Sequence, residues 1–314
     1  MNPFTGLYGA AGAFRNTLYD RGIVASRRLA RPVISIGNLS AGGVGKTPFV
    51  IALGQLLQAR GVSFDVLSRG YRRKTRGVLV VDPNGAAAEF GDEPLLIARR
   101  LHVPVIVGES RYHAGRLAEG RFASQFHVLD DGFQHRSLAR DFDIVLMTED
   151  DFRDRLLPAG RLREPLSSLT RANAIVLPKG VEIDPPIPRD KPVWRVERNL
   201  TIPEPSFSPV VFCGIARPQQ FFAQVRAAGI TPAAELTFGD HHTYDPSDVN
   251  RLLDARSKAG GDGFLTTEKD AVNLGALQPK LSPLAVAVLN LTLDRPADVV
   301  DTILARITQP KPRS

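Results

Sequence analysis

Apolar positions along this chain follow two rhythms, and each predicts a different kind of element. Near the start, Leu7, Ala11, Phe14 and Leu18 recur at helical spacing, flanked by Phe4 and Tyr8 and followed by Arg15, Arg21, Arg27 and Arg28. That pattern suits a helix lying in a membrane interface, with its apolar face in acyl chains and its arginines near lipid phosphates. It equally suits a helix packed on the protein's own core, and spacing leaves both readings open. Short unbroken apolar runs follow, and they predict strands at 33–37, 63–68, 78–81, 103–107, 126–130, 142–147 and 174–177. Helical patterns open after Lys46, Asp92 and Ser110. Such an alternation predicts an α/β fold, a mostly parallel sheet with helices on both faces. In these sheets ligands sit beyond the carboxyl ends of the strands, so the residues just after each strand carry most weight.

Prolines break the rhythm between 178 and 209, where Pro185-Pro186, Pro188, Pro192, Pro203 and Pro205 predict a linker with one or two extended pieces around 193–196. A second, smaller α/β unit is predicted after it, with strands at 210–214, 235–238, 263–267 and 284–291 and helices from Pro218, Pro246 and about Pro296. The expected division is an amphipathic helix at 1–28, a nucleotide-binding domain at 29–180, a linker at 181–209 and a C-terminal domain at 210–314. The tail from Gln309 is expected to be disordered.

The strand from Val33 runs into Asn38-Leu39-Ser40-Ala41-Gly42-Gly43-Val44-Gly45-Lys46-Thr47, a glycine loop followed by helix formers. Glycines let backbone NH groups turn inward around phosphate oxygens, and the helix that follows offers its positive end. Lys46 is expected at the β- and γ-phosphates and Thr47 at Mg2+. The first glycine of the usual GxxxxGK[ST] spacing falls on Ser40, with Gly42-Gly43 supplying flexibility instead. Dimeric partitioning ATPases share such a core but carry lysine where this chain has Ala41.

Other strand ends carry chemistry too. Asp130-Asp131-Gly132-Phe133-Gln134-His135 follows an apolar strand, where one carboxylate can face Mg2+ opposite the loop threonine and its neighbour can place a substrate. Asp92, in Gly91-Asp92-Glu93-Pro94, is open to two readings: helix N-cap, or base for an attacking hydroxyl. Arg69, Arg161 and Arg163 stand at strand-end rims suited to bidentate phosphate binding, or are simply solvated, as arginines more often are. Asp240-His241-His242 offers a carboxylate and histidine pair, or a surface turn. Thr266-Thr267-Glu268-Lys269-Asp270 either lines a cleft or caps a helix.

Composition narrows the partners. The 314 residues include 43% hydrophobic positions and one cysteine, Cys213, so no internal disulfide is possible. No apolar run approaches the roughly 18 to 20 residues that span a bilayer. Arg15 and Asp20 interrupt the early apolar region, so no secretory signal is expected. A net charge of +7 calls for an acidic partner. Without a nucleic-acid-binding module, nucleic acid is not expected.

Taken in order, these segments resemble the tetraacyldisaccharide 4'-kinases, the lipid A kinases of Gram-negative bacteria. The likeness rests on the amphipathic start, Gly37-Asn38 leading into Gly42 to Pro48, Ser68 to Tyr71, Gly91 to Pro94, Asp130 to His135, Leu157 to Pro165, Gly214 to Pro218, Asp240-His241 and Thr266 to Asp270. It implies a phosphate-loop fold with a smaller C-terminal domain. It also implies transfer of the γ-phosphate of ATP, with Mg2+, to the 4'-hydroxyl of a lipid-linked glucosamine disaccharide 1-phosphate. A monomer, peripheral on the cytoplasmic face of the inner membrane and attracted to its anionic lipid, is expected. By the same likeness Lys46 and Thr47 bind phosphate and metal, Asp130 and Asp131 serve metal and geometry, Asp92 is the base assisted by His241, and Glu93 and Gln134 support metal or phosphates. The alternative is a nucleotide switch such as a GTPase acting on a protein partner. Its usual Asn-Lys-x-Asp reader has no better counterpart here than Leu177-Pro178-Lys179-Gly180.

Overall fold

The computed structural model describes residues 3–181, 188, 190–203 and 208–308. Pro185-Pro186, Pro205, the tail from Gln309 and the side chain of Phe4 lie outside the described residues. In chain order the elements are α1 (Pro3–Asp20), β1 (Val33–Asn38), α2 (Lys46–Ala59), β2 (Phe64–Ser68), β3 (Leu79–Val80), α3 (Ala87–Phe90), α4 (Asp92–Leu101), β4 (Val105–Val107), α5 (Arg111–Arg121), β5 (Phe126–Asp130), β6 (Phe142–Leu146), β7 (Ala174–Pro178), β8 (Val193–Thr201), β9 (Pro209–Cys213), α6 (Pro218–Ala227), β10 (Ala234–Thr237), α7 (Pro246–Ala259), β11 (Gly263–Thr267), α8 (Glu268–Leu274), β12 (Leu284–Leu293) and α9 (Pro296–Thr308).

All the strands join one sheet in the order β10-β9-β11-β12-β8-β7-β6-β1-β5-β2-β4-β3. Its first half, β8 to β4, is parallel, with β3 antiparallel at the edge. The second half, β12, β11, β9 and β10, is parallel within itself. The halves meet in the antiparallel pair β8–β12.

Register explains what this junction does. β8 pairs with β7 only through Val193–Val196, while Val196 to Thr201 pair with β12 from Leu293 back to Val288. The rest of β12, from Leu284 to Ala287, pairs with β11. The second half is therefore displaced along the strand direction by the overhang of β8, about 16 Å at roughly 3.3 Å per residue. Because its strands run the opposite way, their carboxyl ends face those of the first half across a cleft. The extended piece expected around 193–196 is thus the start of a strand spanning both halves.

Burial follows the pattern. β1, β2 and β5 are buried at every position, as strands covered on both faces must be. On one face α2 and α4 pack Phe49, Leu53, Leu57 and Leu95 against the sheet, and on the other α5 buries Ala114 and Ala118 against Leu29 and Leu129. The second half stacks Phe212 edge-on against Phe238, Tyr244 and Phe264. α9, the last element described, returns to the first half: Val299, Val300 and Ile303 join the core with Trp194, Val196 and Leu293.

α1 rests on the body along Thr5, Gly9, Gly12 and Asn16, all half-buried. A Cβ on Gly9 would stand 3.0 Å from Leu156, so a small residue lets the helix lie close. Leu7 and Phe14 are 70% and 67% exposed, and Ala11 is exposed with them. The apolar stripe predicted from sequence therefore faces outward at these three positions, while its last member, Leu18, is half-buried.

Ile303 is fully buried, so Ile303→Ala is expected to cost about 2–5 kcal/mol by opening a cavity beneath α9. Urea unfolding measures it, and a loss well under 1 kcal/mol would show that α9 does not belong to this core.

Candidate active site

β1 ends on buried Asn38, and the loop that follows turns into α2 at Gly45, whose φ of 99° suits a residue without a Cβ. Pro48 sits in the first turn of α2, where a backbone NH has no helical partner to lose. Lys46 Nζ donates to Asn38 Oδ1 at 3.0 Å and lies 3.4 Å from Asp131 Oδ1. Arg163 also donates to Asn38 Oδ1, and to Asp131 Oδ1 at 3.1 Å and Oδ2 at 3.3 Å. Two cations thus converge on one carboxylate beside the loop.

β5 delivers two adjacent acids into contrasting environments. Asp130 is buried; its Oδ2 accepts from Ser68 Oγ at 3.1 Å, and its Oδ1 has no hydrogen-bond partner among the described residues. Burial, then the nearby charges of Glu93 and Asp131, push its carboxyl up to about 7 despite Lys46. Burial works upward on Asp131 as well, but Lys46 and Arg163 outweigh it and hold that carboxyl down at about 2. A buried acid with a free oxygen, crowded by other acids, fits a cation, and Thr47 and Glu93 line the same cleft. Among the described residues no three His, Cys, Asp or Glu side chains gather to hold a metal by themselves. A Mg2+ here would share phosphate oxygens, as that ion usually does.

Opposite the loop, a pair of residues bridges the two halves of the sheet. Gly91 caps α4, not Asp92, which opens the first turn buried, its Oδ1 accepting from the NH of Glu93 at 2.9 Å. Asp92 Oδ2 meets His241 Nδ1 at 2.8 Å and accepts from Asn273 Nδ2 at 3.2 Å. His241 Nε2 lies 3.1 Å from Lys269 Nζ, which can only donate. That contact assigns the ring proton to Nδ1, so His241 donates to Asp92. Burial opposes ionisation of Asp92, yet His241, Lys269 and Asn273 together keep its carboxyl below the ordinary range. His241 sits at φ 56° and Asp131 at φ 50°, strain of roughly 1–3 kcal/mol each of a kind that concentrates at functional sites.

These groups line one cleft of about 590 Å³ between the halves. Of the residues predicted from sequence, the structure brings to its walls loop positions 41–47, Arg69, Asp92, Glu93, Asp130, Asp131, Arg163 and His241. Ser40 lies beneath the loop, bridged to Leu162. Arg161 is turned aside, its Nε donating to Asp154 at 2.8 Å with Asp150 at 3.5 Å. Gln134 lies behind the loop and donates to the carbonyl of Asn38 at 2.9 Å. His242 bonds Asp248 at 2.8 Å and stacks on Phe238, away from Asp92. In the last motif Thr267 caps α8 by accepting from the NH of Asp270, while Glu268 and Lys269 line the cleft, so both readings of that segment hold.

Sequence reasoning gave no role to Asn38, Arg198 or Asn273. Arg198 donates to the carbonyl of Val44 at 2.6 Å and packs against Gly45, but it stands in a segment that reads as linker. Asn38, the last residue of an apolar strand, carried a signal that could have been read.

A family model described as tetraacyldisaccharide-1-P 4'-kinase matches residues 1–308. A tetraacyldisaccharide 4'-kinase of Koribacter versatilis is 46% identical over 97% of this chain and 98% of its own length. One from Aquifex aeolicus is 41% identical over 87% of this chain and 88% of its own. A crystal structure of LpxK from Aquifex aeolicus in complex with ATP superposes with a TM-score of 0.80 at 35% identity, covering 98% of each chain.

Asp130 supplies a test of its environment. Its folded carboxyl, near 7, lies above the unfolded value of about 4, so its contribution to stability is complete below pH about 4 and is lost as pH rises through 7. Asp130→Asn is expected to raise the melting temperature of metal-free, nucleotide-free protein at pH 8, with the gain shrinking to little at pH 4. Parallel melting curves for the two proteins across that range would refute the crowding of acids around Asp130.

Proposed function

The chain belongs to the tetraacyldisaccharide-1-P 4'-kinase family, and from that premise we propose how its cleft transfers the γ-phosphate of ATP to the 4'-hydroxyl of a tetraacylated glucosamine disaccharide 1-phosphate. It is an ATP-dependent phosphotransferase of lipid A biosynthesis, which sets aside the nucleotide-switch alternative. The observation that carries the assignment of roles is the Asp92–His241 pair, 2.8 Å apart, in the same cleft as Lys46 of the phosphate loop.

The backbone NH groups of the loop and the start of α2 bind the phosphates, and Lys46 stands where it can reach the transferring group. Asp130, with its free oxygen, and Thr47 and Glu93 would hold Mg2+. Bound there, the metal would neutralise charge on the β- and γ-phosphate oxygens. Asp131 keeps Lys46 and Arg163 in place. Asp92, kept ionised by His241, Asn273 and the charge of Lys269, accepts the hydrogen bond of the sugar hydroxyl and then its proton, while His241 fixes the carboxylate's orientation. A carboxylate with lowered basicity suffices because phosphoryl transfer passes through a loose transition state, in which position and charge outweigh base strength. Arg69 and Arg163, which line the cleft, would meet the substrate; Arg161 is engaged elsewhere.

Radiolabelled ATP, Mg2+ and the tetraacylated disaccharide 1-phosphate in detergent micelles test the reaction. Lys46→Ala is expected to lower kcat roughly 10²–10³-fold and Asp92→Asn roughly 10²–10⁴-fold, with lipid KM little changed. Near-normal turnover by Lys46→Ala, or ATP hydrolysis without labelled lipid, would sink this reading.

We further propose that the protein works from a membrane surface, the cytoplasmic face of the inner membrane. No described helix is long and apolar enough to cross a membrane. The outward stripe of α1, extended by Ile23 at 66% exposure and bordered by Arg15 and Arg21, suits an interfacial helix on anionic lipid. Replacing both Leu7 and Phe14 with Glu is expected to abolish sedimentation with anionic vesicles while leaving ATP affinity within about twofold. Unchanged sedimentation would remove α1 from the membrane.

A further inference from the structure

The polar contacts that fasten α1 to the body converge on two segments. Asn16 Nδ2 donates to Glu164 Oε2 at 2.8 Å. Arg136 donates to the carbonyl of Asn16 at 3.0 Å and to Asp20 Oδ1 at 2.6 Å. The receiving segments are those that carry the phosphate-side machinery: Arg136 closes the turn that opens with Asp131, and Glu164 directly follows Arg163.

The chemistry of this contact is unusual for a helix that only needs anchorage. Glu164 is 2% exposed, and its Oε1 is buried without a partner among the described residues, as are Asn16 Oδ1 and Arg163 Nε. Unpaired polar atoms of this kind cost about 1–3 kcal/mol each, and an apolar contact would fasten a surface helix at less cost. Arg171 also grips Glu164 at 2.5 Å, and its guanidinium lies 4.4 Å from the centre of the Phe133 ring. Phe133 in turn presses on β1 at Gly37, where a Cβ would come within 2.5 Å of it. From α1, then, one path leads through Glu164 to the backbone of Arg163, and another through Arg171 and Phe133 to the strand end that presents Asn38.

We propose that Asn16 and Glu164 are positioning residues through which α1 sets the Arg163 guanidinium against Asp131 and Asn38, so that seating α1 on an anionic lipid surface and aligning the phosphate-side machinery are one event. The lipid half of this inference rests on the interfacial reading of α1 given above. The link itself rests only on the contacts. An enzyme so built works fastest when its helix is engaged, which is when its lipid substrate is within reach.

Full-length Asn16→Leu tests the link, because it removes the donor while keeping the helix and its outward stripe. In detergent micelles its kcat is expected to fall roughly tenfold, as misplacement of positioned groups does, with lipid KM within about twofold. Its melting temperature and its sedimentation with anionic vesicles should match the wild type, and Asn16→Gln, which keeps an amide donor, should recover most of the kcat. The kcat losses of Asn16→Leu and Arg163→Lys should combine to less than their sum in free energy, as for residues in one network. Unchanged kcat in Asn16→Leu, strict additivity with Arg163→Lys, or a kcat loss matched by lost vesicle binding would overturn the link. Wild-type protein that fails to sediment would overturn the lipid-surface reading instead, a result distinguishable because kcat is read in micelles.

Discussion

The antiparallel pairing of β8 with β12 is the constraint on which the active site depends. Parallel strands present their ligand-binding ends on one side only, so a single parallel sheet supplies one wall of a site. Here a second parallel set is attached in the opposite direction and displaced along the overhang of β8. Two sets of carboxyl ends then confront each other, one bearing the phosphate loop and the paired acids, the other bearing His241 and Lys269. Any slip of that register by one residue would turn each side chain of β8 to the opposite face and carry Arg198 away from Gly45.

Charge is distributed across the cleft by the same division. The first half concentrates Asp92, Glu93, Asp130 and Asp131, an arrangement that no fold tolerates without cations nearby. Asp131 has Lys46 and Arg163, and is held ionised. Asp92 draws part of its compensation from His241, Lys269 and Asn273 of the second half, which makes its ionised state depend on the halves being together. Asp130 is left short of positive charge, and its raised carboxyl marks the place where a metal would relieve the crowding. Three carboxylates of one cleft thus divide into two held ionised and one pushed toward its neutral form, set by partners and not by residue type.

The strand and helix alternation, the phosphate loop and most strand-end motifs were legible because they depend on local rules: period, glycine conformation and helix ends. For the same reason Lys46, Thr47 and the acid pair, which the structure brings to one cleft, could be singled out from spacing alone. Arg161 and Gln134 were harder. Both sit in motifs beside true cleft residues, yet Arg161 meets Asp154 and Gln134 meets the back of the loop. Whether an arginine at a strand end faces a ligand or a neighbouring acid is decided by the partner that the fold brings to it.

The sequence by itself determined an α/β protein with a nucleotide site, since those properties are written in contiguous residues. Only the tertiary structure decided that His241 and not His242 meets Asp92, that the stripe on α1 faces outward, that α9 returns to the first half, and that a segment read as linker supplies a strand through both halves. Each of these joins residues far apart in the chain. Hydrophobic period and motif spacing carry no information about which distant surfaces meet, because that choice follows from packing the whole sheet at once.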